Sequence, residues 1–253
     1  MKNNLVLAAK CAPVADKLDL VRDAGIQAVE LYLSARILSN LRGIIKLCRK
    51  YDFTYALHAP NDCHAPVAVA QLADEIGARV AVMHDIFWED EWRETAEAFK
   101  NSSAKVCVEN IRCVHDPEKF MRRLNFGMCF DLEHVQMECS GFYEAAFADV
   151  AVHASHIHLT GYYHGSQLWH THMHRSPEHA VRVLDMLSAS GYHGLVVSEA
   201  STQYQTAEEF ATLRSFFRAW QKVPGSIVIE KFGGGAEPAM RRPLADDDSH
   251  FRS

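Results

Sequence analysis

Six times along this chain a short apolar run ends on a residue type that binds metals: His58, His84, Glu109, Asp131, His158 and Glu199. The intervals between them are 26, 25, 22, 27 and 41 residues. One strand, one helix and two short connections occupy roughly that length, so the beat reads as repeated strand–helix units aiming their strand ends at one place. Eight strand-like runs can be marked, at 5–9, 27–32, 53–58, 79–84, 105–110, 126–131, 155–160 and 194–199. Each is short, rich in Val, Ile, Leu and Phe, and nearly free of charge before its end, as strands buried on both faces must be.

The segments between them carry apolar residues at helical spacing, over 14–24, 41–51, 66–78, 91–99, 117–124, 142–150, 177–190 and 207–220. Asp116-Pro117 and Ser176-Pro177 place a capping residue ahead of a proline suited to the first helical turn. Gly25 and Gly191 follow helical runs where a left-handed cap is wanted. Strict alternation predicts a parallel sheet, and eight units fit a closed (β/α)8 barrel, a TIM barrel, better than an open sheet. We expect one α/β domain over residues 1–222. No GxGxxG follows the first strand, where Lys10-Cys11-Ala12-Pro13 stands instead, so dinucleotide binding is unsupported. Residues 223–253 read as a C-terminal extension. Its run 226–230 is β-like, an edge or packing segment that points to a homo-oligomer, and the Gly-, Pro- and charge-rich stretch from Gly233 is expected to be flexible.

With 48% hydrophobic and 23% charged residues, the composition is that of a soluble globular protein. A net charge of −6 does not advertise a polyanionic partner. The opening LVLAAKCAPVA imitates a signal peptide, but Lys10 interrupts it and the segment is needed as the first strand. No apolar stretch is long enough for a membrane span. Seven scattered cysteines without a CxxC pair read as reduced thiols, Cys107 and Cys129 inside strands, and the expectation is a cytoplasmic protein.

In a parallel barrel the strand ends converge on one face, so these polar terminators become neighbours. Carboxylate and imidazole together suit Zn, Mn, Co or Fe(II). Glu109, Asp131, His158 and Glu199 would hold one ion, and His58 and His84 a second beside Glu109. In Asp131-Leu132-Glu133-His134, His134 falls at the first bend of the next loop, placed to orient substrate or to hold a third ion, while Glu133 is expected to face solvent. Seven of the fifteen histidines lie within residues 153–174, and the interval of 41 marks a long seventh loop. His170, His172 and His174 alternate, which puts them on one side of an extended segment, as metal or phosphate contacts or as a solvated loop. His164, His174 and Arg175 are candidate substrate contacts. His153 and His179 are placed on helix surfaces or ends.

The motifs at 57–60 (LHAP), 82–85 (VMHD), 108–111 (VENI), 130–134 (FDLEH), 156–159 (HIHL) and 197–200 (VSEA) together resemble the xylose isomerase-like TIM-barrel superfamily. That group contains sugar isomerases and epimerases, related dehydratases and the family 2 apurinic endonucleases, and the resemblance spans nearly all of residues 1–222. It implies a divalent-metal enzyme with one to three ions per chain. Glu109, Asp131, His158 and Glu199 match the metal site common to epimerases and endonucleases, and His58, His84 and His134 match further ligands of the trinuclear endonucleases. The endonuclease motif GSxxDRH, which supplies the last two ligands, meets Gly165-Ser166-Gln167-Leu168-Trp169-His170-Thr171-His172. The match is one residue longer, His170 stands in place of Asp, and Met173-His174-Arg175-Ser176 replaces the glycine-rich stretch expected next.

Two chemistries suit this set. In the first, Glu199 and Glu109 act as base and acid in isomerising or epimerising a small sugar or sugar phosphate, with His134 and His164 on its hydroxyls. In the second, clustered zinc ions hydrolyse a phosphoester, as in the apurinic endonucleases. The rim favours the first. Residues 85–94, DIFWEDEWRE, carry five acids against one base, which repels nucleic acid, and aromatics such as Trp88 are placed to cover a small carbohydrate.

Overall fold

The computed structural model of the chain describes residues 5–110, 123–138 and 150–233. Its strands are β1 (Leu5–Cys11), β2 (Ala28–Tyr32), β3 (Thr54–His58), β4 (Val80–His84), β5 (Lys105–Glu109), β6 (Gly127–Asp131), β7 (Ala154–His158) and β8 (Gly194–Ser198). They pair in chain order, all parallel, and β8 closes onto β1. The fold is the (β/α)8 barrel expected from the alternation. The helices described are α1 (Ala15–Asp23), α2 (Ala35–Leu38), α3 (Leu41–Cys48), α4 (Pro66–Ile76), α5 (Glu89–Ala98), α6 (Leu132–Glu138), α7 (Pro177–Ala189), α8 (Ala207–Lys222) and α9 (Gly225–Phe232). The helices expected over 117–124 and 142–150 lie largely outside the described residues.

Local chemistry sets these boundaries. Thr206 caps α8 by accepting the Glu209 N–H at 3.3 Å. The Glu91 carboxylate returns to the Trp88 N–H at 2.8 Å, and three acids in the first turn of α5 favour its dipole. Gly25 and Gly191 adopt φ of 75° and 79°, the left-handed region that lets the chain turn from helix to strand.

Two apolar layers form. Outward-facing strand residues such as Leu7, Val29, Leu31, Leu57, Val108 and Val196 pack under the helices in the main core. Inside the barrel lies a separate small cluster of Ala8, Ala28, Ala56, Val80, Val82, Cys107, Cys129, Leu195 and Val197. Side chains repeat every two residues along a strand, so the position two further on faces inward again. Those positions carry Lys10 after Ala8, Glu30 after Ala28, His58 after Ala56, His84 after Val82, Glu109 after Cys107, Asp131 after Cys129 and Glu199 after Val197.

Two expectations are corrected. Residues 226–230 belong to a helix, not a β-like run. Pro224 and Gly225 start a new turn, and coiling lets Val228, fully buried, pack into the chain's own core while Ile227 remains half exposed. The chain also leaves β6 directly into α6 rather than into a loop bend, because the Asp131 Oδ1 accepts the His134 N–H at 2.8 Å and so caps the helix.

Trp220 on α8 is fully buried and donates its indole N–H to Asp185 Oδ1 at 2.9 Å. Trp220→Ala is expected to lower stability by about 3–5 kcal/mol, since it opens a large cavity. Urea unfolding of the two proteins measures the difference.

Candidate metal centre at the strand ends

Asn110 organises the centre of the site. Its side-chain carbonyl accepts the Asp131 N–H at 2.8 Å, and its amide donates to the Asp131 carbonyl at 2.9 Å, locking the end of β6 against that of β5. The Asn110 carbonyl oxygen accepts from His134 Nδ1 at 2.7 Å, which fixes that ring and leaves its Nε2 on the far side. In the same way His58 Nδ1 donates to the Ala59 carbonyl at 3.0 Å, so its Nε2 is the atom that faces Glu109 Oε2 at 3.1 Å.

Around these anchors the expected residues meet. His158 Nδ1 lies 3.2 Å from Glu199 Oε2 and 3.4 Å from both Glu109 Oε1 and Asp131 Oδ2. His84 Nε2 is 3.4 Å from Glu109 Oε2, and His134 Nδ1 is 3.5 Å from Glu109 Oε1. Among the described residues, four groupings of donors fall within 4.8 Å of one another: Glu109, Asp131, His158 and Glu199; His58, His84 and Glu109; Glu109, Cys129 and His158; and, deeper, Glu30, His156 and His158. His158 Nδ1 and Glu199 Oε2 are both buried without a hydrogen-bond partner. Aimed into the same gap, with nitrogen and carboxylate donors around them and the Cys129 thiol close by, they fit a shared divalent transition ion.

Beneath this set the structure adds two residues that the sequence reading misses. Glu30 is fully buried, 2.7 Å from His156 Nε2 and 3.1 Å from His158 Nε2. Lys10, also buried, reaches Glu199 Oε1 at 2.8 Å and Glu30 Oε1 at 3.6 Å. The signal that could find them is a small residue followed two places on by a polar one, from Ala8 to Lys10 and from Ala28 to Glu30.

The electrostatics follow from burial opposed by neighbours. Burial alone would raise the carboxyls of Glu109, Glu30 and Glu199. His158 and His84 beside Glu109, His158 and Lys10 beside Glu30, and Lys10 and His158 beside Glu199 instead hold all three well below the ordinary carboxylate range. Burial likewise opposes charge on Lys10 and His134. The carboxylates of Glu199, Glu30 and Glu109 keep Lys10 above its ordinary value, and Asp131 and Glu109 push His134 up to about 9.

The long seventh loop divides. Gly161 takes part in its first turn: a Cβ there would meet Thr171 Oγ1 at 2.5 Å and the His172 carbonyl at 2.9 Å, so the two sides of the loop close only over a glycine. His172 is fully buried, its Nε2 donating to the Tyr204 carbonyl at 3.1 Å and its Nδ1 3.1 Å from Ser198 Oγ. His174 lies 3.3 Å from Glu209, whose carboxylate also pairs with Arg175, itself over the Tyr204 ring. His170 has a φ of 41°, and its N–H donates to the Glu133 carboxylate at 3.3 Å. These histidines are not part of the donor groups at the strand ends. His164 is exposed, with its N–H donating to Gln136 Oε1 at 2.9 Å, and Trp88 stands 78% exposed at the start of α5.

Two placements are corrected. Glu133 is buried rather than facing solvent, because α6 turns it inward against His170, and burial raises its carboxyl. His179 lies in the first turn of α7, at a helix end, but is buried there rather than on the surface. His153 is exposed, as expected.

A comparison of the sequence with protein-family models and with curated proteins finds no match. Solved structures do match. One is 3-keto-D-glucoside 4-epimerase, YcjR, from E. coli, at 11% identity and a TM-score of 0.61 over 85% of this chain and 99% of that one. L-ribulose 3-epimerase matches at 14% identity and 0.56, over 93% and 99%. The fold is one that sugar epimerases use. It is shared more widely, since the tryptophan synthase alpha chain of Legionella pneumophila matches at 10% identity and 0.55, over 86% and 93%. Among the described residues no helix is long and apolar enough to cross a membrane.

Burial pushes His172, His174 and His179 down to about 4, helped at His174 by Arg175, which has already taken up the Glu209 carboxylate. A depressed histidine stabilises the fold above its unfolded pKa of about 6.5 and loses that contribution as pH falls towards 4. Between pH 7 and pH 5 each such group should cost about 2 kcal/mol. Urea midpoints at the two pH values are expected to draw closer together in His172→Gln than in the parent protein.

Proposed function

We propose that this protein is a divalent-metal-dependent isomerase or epimerase of a small sugar or sugar phosphate. The observation that carries the reading is the pair of ionised carboxylates, Glu109 buried and Glu199 partly exposed, on either side of His158 and Asp131 at the mouth of a barrel that sugar epimerases share. Glu109, Asp131, His158 and Glu199 would hold the ion. When bound, it supplies Lewis-acid polarisation of a carbonyl, which acidifies the neighbouring C–H.

The chain's own groups do the rest. Glu109, Asp131 and His158 are buried, whereas His84, His134 and Glu199 are 16–18% exposed, so substrate meets that second set first. Glu199, kept ionised by Lys10, takes the proton from carbon, and Glu109 stands across the mouth to return one from the other face. His134, with Nδ1 committed to Asn110, turns its other nitrogen towards substrate hydroxyls. His164, His174 and Arg175 on the seventh loop, with Trp88 at the start of α5, remain proposed contacts on the rim, and His170 and His172 serve to hold the seventh loop.

A second reading, phosphoester hydrolysis by several zinc ions, is favoured by the additional group of His58, His84 and Glu109. Against it, the rim along α5 carries Glu89, Asp90 and Glu91 in its first turn, which repels a polyanion such as DNA.

The test is incubation of the cobalt- or manganese-loaded protein with a panel of ketoses in D2O, read by NMR. Deuterium should enter at the carbon next to the carbonyl, chelation should stop it, and Glu199→Gln should slow it by about 10²–10⁴-fold. No exchange with any ketose, together with cleavage of an oligonucleotide holding an abasic site, would favour the hydrolase.

A further inference from the structure

Lys10 is the least expected residue in the barrel, a buried ammonium among groups that would bind a cation. Its contacts close a ring. Lys10 Nζ reaches Glu199 Oε1 at 2.8 Å and Glu30 Oε1 at 3.6 Å, and these two carboxylates approach opposite nitrogens of one imidazole. Glu199 Oε2 is 3.2 Å from His158 Nδ1, and Glu30 Oε1 is 3.1 Å from His158 Nε2. Glu30 therefore holds the Nε2 side of His158 and leaves Nδ1 for the strand-end donors, in the manner of a carboxylate that orients a ligating histidine. Lys10 in turn takes one oxygen of Glu199 and leaves the other, Oε2, beside His158 Nδ1 and directed at the same gap.

We propose that Lys10 is a built-in cation of the metal centre, a positioning residue that restricts Glu199 to one ligand oxygen and shares its charge with the ion. The inference rests on the metal-site reading above and deepens it. Two consequences follow from Coulomb's law at short range in a buried site. Lys10 stabilises the metal-free barrel by neutralising Glu199 and Glu30. It also weakens ion binding, because the ion must share those carboxylates with a positive charge. Removing Glu30 acts in the opposite sense, since Lys10 then bears on Glu199 alone and His158 loses its orienting partner.

The experiment is titration of the purified, metal-free protein with Co2+, read by d–d absorption and by competition with a chelator, alongside thermal unfolding with and without the ion. Lys10→Met is expected to bind Co2+ at least tenfold more tightly, with a lower Tm when metal-free and a wider gap on loading. Glu30→Gln is expected to bind at least tenfold more weakly, and the double variant to return towards the parent Kd. If Lys10→Met does not fold, the comparison of Glu30→Gln with the double variant decides. The proposal is overturned if Lys10→Met binds no more tightly than the parent, or if the double variant binds no better than Glu30→Gln. No substrate enters these measurements, so a failure here is distinct from a failure of the ketose exchange.

Discussion

His158 sits where the rest of the site is balanced. One edge of its ring is given to Glu30 and the other to Glu109, Asp131 and Glu199, so a single imidazole separates a deep carboxylate from those at the mouth. Packing ionised carboxylates this closely inside a protein is costly unless each is paired. Lys10 and the histidines provide that pairing. The same arrangement makes the site sensitive, because deleting one partner leaves a buried charge uncompensated, a larger penalty than the pair itself is worth.

The barrel makes room for this polar set by keeping the turn of side chains beneath it small. Ala8, Ala28, Ala56, Cys107 and Cys129 fill the interior with little volume, and the inward position two residues on carries the long polar side chain. The bulkiest apolar residues, the aromatics among them, lie in the outer layer, where Leu18, Val69, Trp92, Leu184, Phe210 and Trp220 pack between helices and strands. Stability and chemistry are thus assigned to opposite faces of the same strands, a separation that a two-residue period makes possible.

That period also explains what is legible in the sequence. The strand ends His58, His84, Glu109, Asp131 and His158 can be read because a polar residue closing an apolar run is conspicuous, and parallel strands bring such ends together. Lys10 escapes because the first apolar run stops at residue 9, whereas the strand continues to Cys11. Glu30 escapes because it lies inside β2, before Leu31 and Tyr32, so no run ends on it. Glu133 is misplaced by sequence alone because the Asp131 cap, which starts α6 at once and turns Glu133 inward, depends on a tertiary arrangement held by Asn110. The run 226–230 misleads because Ile227, Val228 and Ile229 are all β-branched and favour strand on propensity, and only burial of Val228 against the helices reverses it.

The seventh loop is the instructive case, since its histidines draw attention for a reason that differs from the part they play. Polar loop residues over a barrel mouth need fixed partners if they are to shape a site. His172 supplies one by joining Ser198 on β8 to the Tyr204 carbonyl, and Arg175 supplies another through Glu209 at the start of α8. Glu133 holds His170 in a backbone conformation that non-glycine residues seldom adopt, and the His170 carbonyl accepts the Ser201 N–H at 2.7 Å. The loop is therefore tied to β8, to α6 and to α8 at once. A histidine-rich segment that reads in isolation as a metal-binding tract becomes, in the fold, the means by which a long loop is held beside the carboxylates at the strand ends.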